Sequence, residues 1–150
     1  ELKTKASRLL KASRAHDVIA LQRLHQLELT RTNGWKLKDA LCVIAQDYGF
    51  ETWVDLKTFV ENPFEEKMTS RYLNHWFRDY EEAEEFQSSQ GGYLLPYKNQ
   101  FFVCQNHFLE DIGLDPQDLS WQGMGSDWVK PQNPKALFHL YEQLMKLRKI

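Results

Sequence analysis

From Leu2 to Ala15 the positions Leu2, Ala6, Leu9, Leu10 and Ser13 fall on one stripe, while Lys5, Arg8, Lys11 and Arg14 step by three along another. That pattern predicts an amphipathic helix. His16-Asp17 interrupts it, and Asp17 is an N-cap for a second helix over Val18–Leu29, whose apolar face carries Val18, Leu21, Leu24 and Leu27. Thr30–Trp35 reads as a loop, with Asn33-Gly34 as its turn signal. A third helix, Leu37–Tyr48, repeats Leu37, Ala40, Leu41, Ile44, Ala45 and Tyr48, and Gly49 follows where a helix stop needs left-handed geometry. Thr52 with Asp55 caps a fourth helix, Trp53–Glu61, which Asn62-Pro63 ends. Residues 1–63 are thus expected to form a four-helix module with short connections.

The period changes after the polar connector Phe64–Thr69. Two short apolar runs, Tyr93–Tyr97 and Gln100–Cys104, flank Lys98-Asn99, the spacing of a two-residue hairpin in which Asn99 tolerates positive φ. In that register Leu95 faces Phe102 and Tyr93 faces Cys104, while Leu94 and Val103 point to the other side. Both faces are apolar, so each needs a cover. Pro96 places the first run at an edge, because it cannot donate to a ladder. Ser70–Phe77 predicts a strand and Tyr80–Ser89 a helix capped by Asp79, followed after the hairpin by a short helix, Asn106–Ile112. Leu114–Lys130 reads as irregular with a last strand-like Asp127–Val129, and Lys135–Lys149 as a closing helix. The expected fold class is α+β: the four-helix module, then a second domain over 70–150 in which a small antiparallel sheet with a central hairpin is packed with helices.

Hydrophobic residues make up 42% of the 150, and aromatics 13%, enough for a real core rather than a disordered chain. No apolar run approaches the length of a membrane span, and no charged segment followed by an apolar one marks a leader. Cys42 and Cys104 stand far apart and unaccompanied, which suits a reducing cytoplasm better than a disulfide framework. The net charge of −2 hides an asymmetry: residues 1–38 carry nine Lys/Arg against three Asp/Glu, and residues 39–90 carry four against twelve. Such blocks neutralise each other within a fold or steer a partner.

The run from Ala40 to Val60 has an Ala-containing helix ending in Gly49-Phe50, then Trp53 and Leu56 on the next helix. Upstream, Leu9-Leu10-Lys11-Ala12 and Asp17 through Leu24 have the look of an ankyrin-type helix pair, with His16 where Gly would be usual. Residues 4–61 therefore resemble a helical module of bacterial ankyrin-repeat-containing proteins. The resemblance implies a structural or protein-contacting role and carries over no catalytic residue. In it, Phe50 and Trp53 would lock the turn between two helices. Read instead as a DNA-binding helix-turn-helix, the same stretch needs apolar anchors at Asp55 and Thr58, and its second helix offers phosphates only Lys57.

Candidate chemistry is thin. Cys104-Gln-Asn-His107 has ligand-like spacing, but a structural zinc site needs four ligands and no second pair lies nearby, so neither metal nor cofactor is expected. Ser126 lies between turn residues without a strand–elbow–helix setting. Glu81–Glu85 read as a solvated helix face. Seven aromatics, Tyr93, Tyr97, Phe101, Phe102, Phe108, Trp121 and Trp128, gather around the hairpin and the Gly-containing loop. Most belong to a core; any surplus would form an aromatic binding patch with Tyr97, Lys98, Asp127 and Trp128 at its rim.

The expected function is non-catalytic binding of another macromolecule, a protein in the first place, as an adaptor, an antitoxin- or immunity-like inhibitor, or a regulatory subunit. One alternative is a small enzyme with a site between the halves near Cys104, His107 and Asp127. The other is nucleic-acid binding through the basic face Lys5, Arg8, Lys11 and Arg14.

Overall fold

The structure, a computed structural model, describes residues 1–27, 34–68 and 73–148. The fold is α+β, with the N-terminal helices preceding a small antiparallel sheet. The chain divides into two compact units, Glu1–Lys57 and Thr58–Arg148. The division falls inside the fourth helix, earlier than the polar connector suggested. The reason is that Phe64 is fully buried in the core of the second unit and Phe59 packs against that core.

In the first unit, α1 (Leu2–Arg14), α2 (Val18–His25), α3 (Leu37–Asp47) and the start of α4 (Trp53–Glu61) follow the hydrophobic pattern. Ala6, Leu9 and Leu10 of α1 are buried with Ala20 and Leu24 of α2 and Ala40, Val43 and Ile44 of α3, and Ser13, also buried, donates to the Leu10 carbonyl at 2.7 Å. Local chemistry sets the ends. The Asp17 carboxylate accepts the Ala20 N–H at 2.9 Å, and the Thr52 hydroxyl accepts the Asp55 N–H at 3.1 Å. At the end of α3 the Phe50 N–H donates to the Ala45 carbonyl at 3.0 Å, a closure that needs Gly49 at φ 86°. The expected Leu24, Ala40, Ile44 and Ala45 are buried, and single positions depart from the pattern. Val18 is exposed and Ala20 buried in α2, while Leu37 is exposed and Val43 buried in α3. Close helix approach selects the small or branched residue that fits. The predicted extension of α2 to Leu29 and the Asn33 part of the turn lie outside the described residues.

In the second unit a 3-10 turn, Glu65–Lys67, precedes β1 (His75–Phe77), α5 (Tyr80–Gln90), β2 (Tyr93–Tyr97), β3 (Gln100–Cys104), α6 (Asn106–Asp111), α7 (Leu119–Gly123) and α8 (Pro134–Arg148). The sheet order is β1-β3-β2, all antiparallel. The hairpin pairs Tyr93 with Cys104, Leu94 with Val103 and Leu95 with Phe102, the expected register. Leu95, Phe102 and Cys104 enter one core with Phe108, Trp121, Trp128 and Leu140. Leu94 and Val103 enter a second core with Ala83 of α5. Each large side chain so covered contributes about 1.5–3 kcal/mol, which a bare hairpin lacks.

Three expectations about this unit are corrected. The positive φ of the hairpin turn belongs to Lys98, at 52°. Asp127–Val129 forms no strand: Asp127 makes an isolated parallel bridge to Leu94, through the Leu94 N–H to the Ser126 carbonyl and the Trp128 N–H to the Leu94 carbonyl, each 2.9 Å. The segment read as irregular contains α7, capped by Asp118, whose carboxylate accepts the Ser120 N–H at 2.8 Å. The start of the strand predicted over Ser70–Phe77 and Lys149 of the closing helix lie outside the described residues.

Gly92 sets the entry to the hairpin. A Cβ there would stand 2.8 Å from the Cys104 carbonyl oxygen and from Val103 Cγ1, and φ is +100°. Only glycine fits both the space and the backbone.

Candidate functional site

The basic face and the hairpin aromatics meet different fates. On α1, Lys3, Lys5, Arg8, Lys11 and Arg14 are its only charged residues. Lys5 and Arg8, with Leu9 and Ala12 from the same helix, line an open cleft of about 450 Å³ in the first unit. The cleft is completed by Asp17, Ile19, Ala20 and Arg23 at the start of α2 and by Ile44, Asp47 and Tyr48 at the end of α3. Its walls are part apolar, through Leu9, Ala12, Ile19, Ala20 and Ile44, and part charged. Lys11 and Arg14 are not part of it.

The charges of the cleft are unequally engaged. Lys5 Nζ donates to the Tyr48 hydroxyl at 2.7 Å and lies 5.3 Å from that ring's centre. Arg23 pairs with the Asp47 carboxylate, and the Asp17 carboxylate is held by the Ala20 N–H. Arg8 has no hydrogen bond or ion pair among the described residues. Three cations therefore line the cleft with two carboxylates, of which Asp47 is paired with Arg23. Beside the cleft, Val18 and Ile19 are 66% and 70% exposed, an apolar pair on the surface at the start of α2.

The rim proposed around the hairpin does not form. Trp128 is 2% exposed, T-shaped against Phe64 at 5.0 Å and against Tyr141 at 4.8 Å. Asp127 is 8% exposed. Its carboxylate accepts the Tyr80 hydroxyl and, at 2.9 Å each, the N–H groups of Val129 and Lys130. Lys130 in turn lies over the Tyr80 ring, 4.1 Å from its centre. Of the intended rim only Tyr97 and Lys98 reach the surface, where Lys98 pairs with Glu65 at 3.4 Å and lies beside the Tyr97 ring at 5.5 Å. Four of the seven aromatics are buried and three half-buried, so bulky filling of a small core accounts for them.

The residues of the enzyme alternative are not brought together. Cys104 is 1% exposed in the apolar core, and burial pushes its thiol well above the ordinary range. His107 is 86% exposed and faces Glu110 at 3.8 Å. Asp127 is committed to the Tyr80 bond and its own turn. The Ser126 hydroxyl makes no hydrogen bond among the described residues. A polar group of Asp118, His139 and Gln143 does converge, Gln143 Nε2 lying 2.9 Å from Asp118 and 3.0 Å from His139, and the Ser120 hydroxyl hydrogen-bonds the same Asp118 carboxylate. Burial raises the Asp118 carboxyl, and hydrogen bonds from the Ser120 N–H and Gln143, aided by His139, outweigh that and bring it below the usual range. Among the described residues no three His, Cys, Asp or Glu side chains converge as metal ligands, and no helix is long and apolar enough to cross a membrane.

Sequence reasoning located Lys5 and Arg8 of the cleft but missed Ile19, Ala20, Arg23, Asp47 and Tyr48. Only the exposed position of Val18 and Ile19 next to a cap residue would have pointed to them, and that depends on the helix rotation. No protein-family model, curated protein or solved structure matches the chain.

Proposed function

We propose that the protein acts by binding another protein, in the cytoplasm, and that the cleft between α1, α2 and the end of α3 is its contact surface. One observation carries this reading: an open cleft of mixed apolar and charged lining includes exposed Ile19, adjoins exposed Val18 and is edged by an uncommitted guanidinium, Arg8. Protein contacts combine an apolar centre with a charged rim, and arginine is enriched among the residues that dominate their energy. The likeness of residues 4–61 to an ankyrin-type module supports the same reading. Adaptor, inhibitor and regulatory subunit are all compatible with it.

The test is capture of partners by the full chain and by three variants. Arg8→Glu reverses the rim charge, Ala12→Trp fills the cleft, and Trp76→Ala alters an exposed aromatic of the second unit. A protein held by the parent and by Trp76→Ala, but lost from both cleft variants, is the expected result. Equal retention by all four overturns the assignment of the surface.

A second reading rests on α1 alone, whose five cations face no acidic residue in the helix. Phosphate binding through it would be independent of base sequence and would weaken steeply with salt. Titration of random duplex DNA at two salt concentrations distinguishes it from the first.

A further inference from the structure

Resting on the protein-binding reading, we propose that the cleft takes an acidic amphipathic segment of the partner, with an Asp or Glu carboxylate on Arg8 and a neighbouring aliphatic side chain against Ala12 and Ile19. The charge left over in the cleft decides the sign. Lys5, Arg8 and Arg23 against Asp17 and Asp47 leave one positive charge over, and Arg8 is the cation with no hydrogen bond or ion pair among the described residues. Lys11 and Arg14, outside the cleft on the same helix, extend the positive field and favour approach of an anionic segment.

The apolar lining decides between a carboxylate and a phosphate. Ile19, 70% exposed, and half-buried Ala12 present hydrocarbon that a sugar–phosphate backbone would not cover. Ala12 is short, which leaves room for an incoming Leu or Ile side chain. A helix with apolar residues at i, i+3 and i+4 and acidic residues beside them satisfies both requirements. Arginine suits the carboxylate because its fork can donate two parallel hydrogen bonds.

The test uses the full chain and a fluorescent helical peptide of Leu and Glu at that spacing, followed by anisotropy. A control peptide has every Glu replaced by Gln, and random duplex DNA is the third probe. The Glu peptide should bind at least tenfold more tightly than the Gln peptide. Arg8→Glu should weaken the Glu peptide about tenfold, near 1.4 kcal/mol, and leave the Gln peptide unchanged. Arg8 is exposed, so this variant is expected to keep the parent's circular dichroism and melting temperature. Ala12→Trp should abolish binding of both peptides.

Equal affinity for the two peptides overturns the proposal. So does DNA binding that Arg8→Glu removes while neither peptide binds, and so does concentration-dependent self-association that Ala12→Trp abolishes. If the cleft variants lose the captured partner yet the Glu peptide never binds, the chemistry proposed here fails while the protein-binding surface stands. If the variants retain the partner, the surface itself fails.

Discussion

Tyr80 donates its phenolic hydrogen bond to the carboxylate of Asp127, 47 residues further along the chain. The bond ties the first turn of α5 to the loop that bridges the edge of β2. Asp127 also accepts two backbone N–H groups, from Val129 and Lys130, so one buried carboxylate closes both the tertiary contact and its own turn. Removing Tyr80's hydroxyl takes one donor from a charged acceptor, whereas removing the carboxylate strands three donors. Tyr80→Phe should lower stability by about 1.5–3 kcal/mol and Asp127→Ala by more. Urea titration at pH 7 measures both. An unchanged midpoint for Tyr80→Phe would show that the bond contributes nothing.

Alkaline conditions should loosen the second unit. Burial raises the Tyr141 hydroxyl to about 12, opposed in part by the Trp128 indole. Burial also raises Tyr80, helped by the hydrogen bond to Asp127. Both phenols are held neutral in the folded state. Their contribution is complete below the unfolded phenol range near pH 10 and is lost as pH rises through the folded values. The urea midpoint should therefore begin to fall near pH 9, where the unfolded Cys104 thiol ionises and the buried one does not, and fall more steeply between pH 10 and 12. Tyr141→Phe should lose less between those limits than the parent does. A parallel decline in parent and variant would remove Tyr141 from the account.

The two thiols should differ in reactivity. Cys42 is half-buried, whereas Cys104 lies in the apolar core with its thiolate disfavoured by burial. With an aromatic disulfide reagent at pH 8 one thiol should react in the folded protein and the second only in denaturant. Cys42→Ser should then give no rapid reaction. Rapid labelling of Cys104 in that variant would mean that the hairpin core opens readily.

His16 occupies left-handed backbone at φ 63°, between the end of α1 and the cap of α2. A side chain there costs about 1–2 kcal/mol, part of which glycine gives back as unfolded-chain entropy. His16→Gly should raise stability by about 0.5–1 kcal/mol and leave the cleft's peptide affinity unchanged. Thermal unfolding checks the gain; a lower melting temperature would mean that the imidazole makes a contact worth more than the strain.

Much of the fold was legible residue by residue. Caps and stops are local: Asp17, Thr52 and Asp79 accept the N–H groups of their own first turns, and Gly49 and Gly91 turn where no Cβ intervenes. The hairpin register followed from alternation, because a slip of one residue would have exchanged Leu95 and Phe102 for Leu94 and Val103 on each face. Less of the candidate site could be read. Trp128 and Asp127 looked like a surface rim because aromatics beside a charge suit one, yet the turn through Gly125 and Ser126, both at positive φ, directs them inward.

By itself the amino-acid sequence determined the types of most elements and the hairpin pairing, since these depend on spacing and on neighbours within a few residues. Tertiary structure alone decided that Val18 and Leu37 are exposed while Ala20 and Val43 are covered, that β1 pairs with β3, and that Lys5, Arg8, Arg23, Asp47 and Tyr48 share one cleft. Those outcomes depend on how small residues such as Ala20 and Ala40 let helices approach, a packing condition among residues distant in the chain that no local pattern encodes.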